Sequence, residues 1–228
     1  MEQDKIWDYY QNQEDSDQFF SEARQRYMLS RLEKGAAVLN VGVGSGALER
    51  LALEKAVNIY SLDPSEQAIE RLRRDRGMGE CAQAGYSQAM PFPDENFDVV
   101  VMSEVLEHLD DTVLDRSLDE VRRVLKPGGF LLASTPYREN LVDNKVVCPS
   151  CAEVFHKFGH VQAFDKLRMH KVLEAHSLMV EKLWVTTFVD WRRKGVRNHI
   201  KSLVRVFLAR LGVSIADPHL LIVARKMV

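Results

Sequence analysis

Val38-Leu39-Asn40-Val41 runs without a break into Gly42-Val43-Gly44-Ser45-Gly46-Ala47. An apolar run, three alternating glycines and a helical pattern from Leu48 make a strand, a turn and a helix start. The unpaired N–H groups of such a helix start favour a polar or anionic ligand group. A tight strand-to-helix turn selects glycine for its own sake, so the turn needs company. Asp63-Pro64 supplies it about 20 residues on, at the end of the next apolar run. A carboxylate at that strand tip is placed to accept hydrogen bonds from a ribose, and its other reading is a cap for the helix that follows, a role Ser65 also fits.

Two more groups could do chemistry. His108, just beyond a fourth apolar run, is a candidate general base or a helix-start cap. Cys148-Pro149-Ser150-Cys151 precedes His156 and His160. Two thiolates from one turn and two imidazoles nearby can complete a tetrahedral zinc site as a compact knuckle, with Cys148, Cys151, His156 and His160 as ligands. Unrelated free cysteines and histidines, or a redox pair, are the other readings, although no thioredoxin-like pattern surrounds them.

The elements that must position these residues alternate. Strands are expected at Val38–Val41, Val57–Leu62, Cys81–Gly85, Val99–Met102 and Phe130–Ser134, with helices from Leu48, from Ser65 and over Asp111–Leu125. Lys126-Pro127-Gly128-Gly129 reads as a turn. A helix over Asp165–His176, a strand over Met179–Val185 and a last strand from His219 to Arg225 complete the chain. Strands alternating with helices imply an α/β, Rossmann-like, doubly wound and mostly parallel sheet, with ligands at the strands' carboxyl ends. Gly42–Gly46, Asp63, Gly85-Tyr86-Ser87 and Ser103-Glu104 would share that edge. Ahead of the sheet, Asp15-Ser16-Asp17 offers helix caps, and Phe20, Ala23, Tyr27, Met28 and Leu32 recur at helical spacing until Gly35. Trp7, Tyr9 and Tyr10 before them would form a flap over a pocket or anchor a loop.

With 228 residues, 46% hydrophobic and 28% charged, and a formal net charge of -2, the chain has the make-up of a globular protein and no general basic character for nucleic acid. Met1-Glu2-Gln3-Asp4 opens with acid and without an apolar leader, no run reaches the roughly 20 apolar residues of a membrane span, and three cysteines make no disulfide framework. A cytoplasmic location is expected.

Val38–Gly46 resembles the first motif of class I S-adenosylmethionine (SAM)-dependent methyltransferases. Met90-Pro91-Phe92-Pro93-Asp94-Glu95-Asn96-Phe97-Asp98-Val99-Val100, Glu104-Val105-Leu106-Glu107-His108-Leu109 and Leu125-Lys126-Pro127-Gly128-Gly129 continue the likeness in order. The set covers about residues 36 to 136 and is similar to the methyltransferase type 11 group that includes ubiquinone-biosynthesis-type enzymes. The resemblance implies a seven-stranded sheet with an antiparallel C-terminal edge strand, and a single SAM-binding domain over 1–228. That domain would carry an N-terminal helical cap (1–34), a Cys/His loop (140–164) and an inserted basic amphipathic helix (190–212). It implies that SAM contacts Asn40, Gly42, Gly44, Gly46, Asp63, Pro64, Tyr86, Ser87, Gln88, Ser103 and Glu104, and, because Gly159-His160-Val161-Gln162-Ala163-Phe164 resembles the family segment before the helix that faces the acceptor, that His160 is a substrate contact or base rather than a metal ligand. Asn40 stands where the family usually has Asp, and Tyr86 where an adenine-contacting Asp is common.

The inserted stretch Trp191–Gly212 carries Arg192, Arg193, Lys194, Arg197, Lys201, Arg205 and Arg210 with no acid. Val196, Ile200, Leu203, Val204, Phe207, Leu208 and Leu211 share one helical face. The expectation is that this face packs on the domain; contact with an anionic membrane surface or an acidic partner is the other reading. The implied activity is methyl transfer from SAM to a small-molecule, glycan or lipid-linked acceptor. A non-catalytic SAM-fold scaffold and an NAD(P)-dependent oxidoreductase are the alternatives, the latter because Gly42-x-Gly44-x-x-Ala47 fits a relaxed dinucleotide fingerprint.

Overall fold

The computed structural model describes residues 4–12, 21–190 and 196–227. In chain order the main sheet contains β1 (Ala37–Val41), β2 (Asn58–Asp63), β3 (Ala82–Ala84), β4 (Phe97–Ser103) and β5 (Leu125–Pro136), then β8 (Leu178–Thr186) and β9 (His219–Lys226). Its order is β3-β2-β1-β4-β5-β9-β8. Strands β1 to β5 pair in parallel, and β9 runs antiparallel to both β5 and β8, so the antiparallel C-terminal strand stands beside the outermost strand at that edge. The reversal from β1→β2 to β1→β4 opens a crevice at the carboxyl ends of β1 and β4.

Apolar residues alternate between two cores. Leu39, Val41, Val100 and Met102 face one side, where α5 (Asp111–Val124) brings Leu114, Leu118 and Val121 and α6 (Lys166–Ala175) brings Met169 and Leu173. Val38, Val99 and Val101 face the other, against Met28 of α2 (Glu22–Leu29), Leu48 and Ala52 of α3 (Ala47–Glu54), and Ala68, Ile69 and Leu72 of α4 (Glu66–Arg76). Burial on both faces is why β1, apart from Asn40, and β4 read as apolar runs. Helix starts are capped as their sequences ask: Ser65, Asp110 and Asp165 accept from the third backbone N–H of α4, α5 and α6.

Several expectations are corrected. Ser21 caps α2, which ends at Leu29, well before Gly35; Asp15-Ser16-Asp17 and Phe20 lie outside the described residues. Lys126-Pro127-Gly128-Gly129 belongs to a longer β5 rather than to a turn, because Leu125 already pairs with Phe97 and a bulge absorbs the glycines. A Cβ on Gly129 would meet the carbonyls of Asp98 and Lys126 at 3.0 Å, so the bulge needs glycine there. Residues 140–164 hold an unanticipated antiparallel hairpin, β6 (Lys145–Val147) with β7 (Val154–His156). Trp7 and Tyr10 sit on α1 (Asp4–Gln11), a helix over the carboxyl edge of the sheet, and both line the crevice. Residues 191–195 of the inserted stretch lie outside the described residues; its helix, α7, spans Val196–Arg210.

Candidate active site

One cavity of about 1020 Å³ occupies the crevice. At one end the glycine turn leaves β1, with Gly42 at φ +86°, where a Cβ would strike Val105 Cγ2 at 2.7 Å. Gly42 and Gly44 line the cavity. Asp63, at the tip of β2, is 4% exposed and tied to that turn: Oδ2 accepts from the Val43 N–H at 2.8 Å. Its Oδ1 accepts from the Ser65 N–H at 2.9 Å and from Gln11 Nε2 of α1 at 3.1 Å. Burial pushes the Asp63 carboxyl up, against the pull of these three donors. Pro64, Tyr86, Ser87 and Gln88 continue the same wall, with Ser87 Oγ 2.7 Å from Ser117 Oγ.

The middle of the cavity is built by the end of β4. Ser103 and Glu104 both line it, and Glu104 takes φ +58°. Glu104 accepts from Ser134 Oγ at 2.6 Å and faces His219 Nε2 at 3.2 Å. Burial would raise this carboxyl, but the charges of His219 and Arg24 outweigh it and hold Glu104 well below the usual carboxylate range. Glu107 is the opposite case. It is 1% exposed, neither carboxyl oxygen meets hydrogen-bond geometry with a partner among the described residues, and burial followed by the Glu104 charge holds it well above the usual range against a weaker pull from Thr135.

At the far end three histidines gather. His108 Nδ1 accepts from Trp7 Nε1 at 3.0 Å, and burial together with His160 drops the ring to about 3. The acceptor role of Nδ1 fixes His108 as the Nε2–H tautomer, so the Gly159 carbonyl 3.3 Å from Nδ1 is a contact and not a hydrogen bond. His160 Nδ1 lies 2.5 Å from Glu139 Oε2, which places its proton on Nδ1. His156 Nδ1 accepts from the His160 backbone N–H at 3.1 Å, which leaves its proton on Nε2, 3.4 Å from Glu139 Oε1. Burial, then His160, lowers the His156 ring. Glu139 therefore anchors the His160 imidazole and only faces the His156 ring, and His160 Nε2 accepts no hydrogen bond from the described residues. A glycine cradle with an acid at one end and an anchored imidazole at the other is an arrangement for holding a polar cofactor beside a proton acceptor.

Residues 39–133 match the methyltransferase domain family. Over these residues the chain is similar to a methyltransferase domain. Beyond that match, an uncharacterized methyltransferase of Schizosaccharomyces pombe is 33% identical over 120 residues, 46% of this chain and 41% of the relative. The chain spans about half the length of the curated relatives it matches. Among solved structures, a SAM-dependent methyltransferase of Methanosarcina mazei superposes with a TM-score of 0.63 at 16% identity, over 89% of this chain and 97% of that one. Burkholderia thailandensis 1,6-didemethyltoxoflavin-N1-methyltransferase, solved with its acceptor and S-adenosylhomocysteine, gives 0.60 at 16% identity, over 91% and 76%. These likenesses establish the class I methyltransferase fold.

Of the residues expected to form the site, Gly42, Gly44, Asp63, Pro64, Tyr86, Ser87, Gln88, Ser103, Glu104, His108 and His160 all line the cavity. Asn40 does not. It is 2% exposed, and its amide donates to Glu49 Oε1 at 2.7 Å beneath the turn. Burial raises Glu49, which Ser61 also donates to, so an Asp at position 40 would set a second carboxylate against a buried acid. That explains the departure at Asn40 and removes it from the cofactor wall. Gly46 is likewise behind the turn, at φ +77° against Leu72, where it starts α3. The four-ligand zinc set is also corrected. Cys148 and Cys151 sit at the tip of the β6–β7 hairpin, whose strands carry them away from the histidines at its base. Among the described residues, the groups of three with ligand atoms close enough for a metal are Glu107/His108/His160 and Glu139/His156/His160, and neither holds a cysteine. Hydrogen bonds from Trp7 and from the His160 backbone fix protons on the second nitrogens of His108 and His156, which leaves both groups as proton networks. Glu139, Glu107 and Gln11 were not found from sequence: each lies outside the family motifs or in an unmarked position within one.

The buried Glu107 carboxyl has a measurable consequence. A raised carboxyl means that the folded protein keeps a proton the unfolded chain releases, so stability falls as pH climbs through the usual carboxylate range. Glu107→Gln carries no such cost. It should raise the melting temperature by about 3 °C or more near pH 8, with the gain shrinking toward about pH 4. A variant that melts no higher than wild type at either pH would show that the carboxyl is paired.

Proposed function

We propose that this protein is a SAM-dependent methyltransferase acting on an O–H or N–H group of a small-molecule, glycan or lipid-linked acceptor. The observation that carries the reading is one cavity that runs from the Gly42–Gly44 turn and Asp63 to the Glu139-anchored imidazole of His160. The residues present fit SAM: the turn leaves no room for a Cβ at Gly42, Asp63 offers acceptor oxygens at the ribose position, and Tyr86 supplies an aromatic face beside Ser87 and Gln88. SAM supplies an electrophilic methyl group on a sulfonium, whose departure needs no proton. The chain's task is therefore positioning and, for a protonated acceptor, removal of one proton.

His160 is the residue placed to take it. Glu139 holds the proton of the ring on Nδ1 and leaves the Nε2 lone pair for the acceptor. His108, pushed down to about 3 and bonded to Trp7, is a weak base that shapes the wall instead. Glu104, kept ionised, gives the cavity a fixed negative charge between the two ends, while Glu107 offers a carboxyl proton. Native mass spectrometry with SAM and S-adenosylhomocysteine titrated into the full chain tests the reading. Saturable uptake of either is the expected result. Uptake of neither, with retention of NAD or NADP, would replace it with the oxidoreductase reading.

A further inference from the structure

Helix α7 turns the expected packing inside out. Ala209 is fully buried and Ser202 and Val206 are half-buried, so the helix rests on the fold through its small face. The large apolar residues point the other way: Val196, Ile200, Leu203, Val204 and Phe207 are 52% to 78% exposed. They fall within an arc of roughly 100°. Leu211 and Ile215, 65% and 87% exposed, extend the same surface past the helix end.

The surroundings of this stripe are basic. Val196–Arg210 contains Arg197, Lys201, Arg205 and Arg210 and no acid. Arg210 also closes a side cleft of about 510 Å³ with Arg31, Lys166 and Lys182 around Trp184. Among the described residues none of these four cations pairs with a carboxylate; Arg205, by contrast, lies 3.7 Å from Asp217. The segment after α7 turns back to the main cavity, where Gly212, Ser214, Asp217 and Pro218 form part of the lining.

We infer that α7 docks this protein on an anionic lipid bilayer, with its apolar stripe in the interface and its cations against phosphate headgroups. An exposed apolar stripe flanked by Lys and Arg is the pattern that lies in a membrane surface rather than across it, and no helix among the described residues is long and apolar enough to span one. Charge argues against a second copy of this chain as the occupant, because two such helices would bring together cations with no acid between them. Docking sets the loop Gly212–Pro218, and with it the cavity mouth, beside the headgroups. Delivery of a lipid-linked acceptor through that mouth rests on the methyltransferase reading; the docking does not.

Co-sedimentation of the full chain with phosphatidylcholine vesicles, with and without phosphatidylglycerol, tests the inference. Binding should need phosphatidylglycerol, weaken with added salt, and fall about tenfold or more for Phe207→Glu and for Arg197→Glu/Lys201→Glu. SAM titration of the same preparations should match wild type, which shows that the variants are folded and keeps this result separate from the cofactor question. No partition of wild type onto phosphatidylglycerol vesicles, or equal partition onto phosphatidylcholine alone, would overturn the inference. So would a solution dimer that Phe207→Glu converts to monomer, which would assign the stripe to a second copy.

Discussion

His160→Ala is expected to lower kcat for a methylated acceptor by roughly 10²–10⁴-fold while SAM affinity stays within about twofold of wild type. The expectation follows from which nitrogens are already committed. His160 Nδ1 is held by Glu139 Oε2 at 2.5 Å, its ring lines the cavity, and Nε2 has no donor among the described residues. His108 is 4.8 Å away ring to ring, yet its Nδ1 takes the Trp7 indole N–H and its basicity is depressed to about 3. Its removal should therefore cost much less than that of His160, mostly through lost packing with Trp7. Glu139→Gln acts through the ring it anchors: it keeps an acceptor for Nδ1–H but loses the negative charge, and should fall between the two. Single-turnover rates, measured with SAM saturating, separate this from any effect on binding. An undiminished rate in His160→Ala would mean that the acceptor reaches the methyl group already deprotonated, and the far end of the cavity would then be a binding wall only.

Much of this site was legible because the physics that builds it is local. A doubly wound sheet needs mainly apolar strands, and Val38–Val41 (with Asn40 as its one polar residue) and Val99–Met102 announce themselves that way. The turn after β1 needs positive φ at Gly42 and Gly44, and the acid of β2 needs a strand end; both are visible as residue types at fixed spacing. What escaped was set by contacts far apart in sequence. Glu139 follows β5 with no pattern around it, and its meaning comes only from two histidines that the hairpin returns to it. The same hairpin separates the cysteines from those histidines; three-residue strands with exposed Val146, Val147 and Val154 leave no periodic signal. In α7 the apolar stripe was visible, but periodicity says which residues share a face and not which face is covered. There the small residues Ser202 and Ala209 took the packing.

The second large effect concerns Asp63. Asp63→Ala should weaken SAM binding by more than about tenfold, or about 1.4 kcal/mol, and should also lower stability by about 1–3 kcal/mol. Two causes are superimposed. One is the loss of acceptor oxygens at the ribose position. The other is internal: the carboxylate satisfies the buried N–H groups of Val43 and Ser65, and the first of these belongs to the glycine turn itself. Removing it frees the turn that faces the cofactor, so a weaker Kd alone would not prove a ribose contact. A 2′,3′-dideoxy analogue of S-adenosylhomocysteine separates the two, because it presents the same base and amino-acid ends without the ribose hydroxyls. If Asp63 holds the ribose, wild type and Asp63→Ala should bind the analogue about equally, and the whole penalty should appear only with the natural nucleoside. If the analogue loses as much as the parent compound, Asp63 serves the cavity by fixing the turn, and the ribose must find its partners elsewhere on the same wall. Gln11 enters this balance too. Its amide donates to Asp63 Oδ1 from α1, so a ribose hydroxyl arriving at that oxygen competes with the helix that covers the crevice. On the ribose reading of Asp63, cofactor binding and the seating of α1 are linked through one carboxylate oxygen.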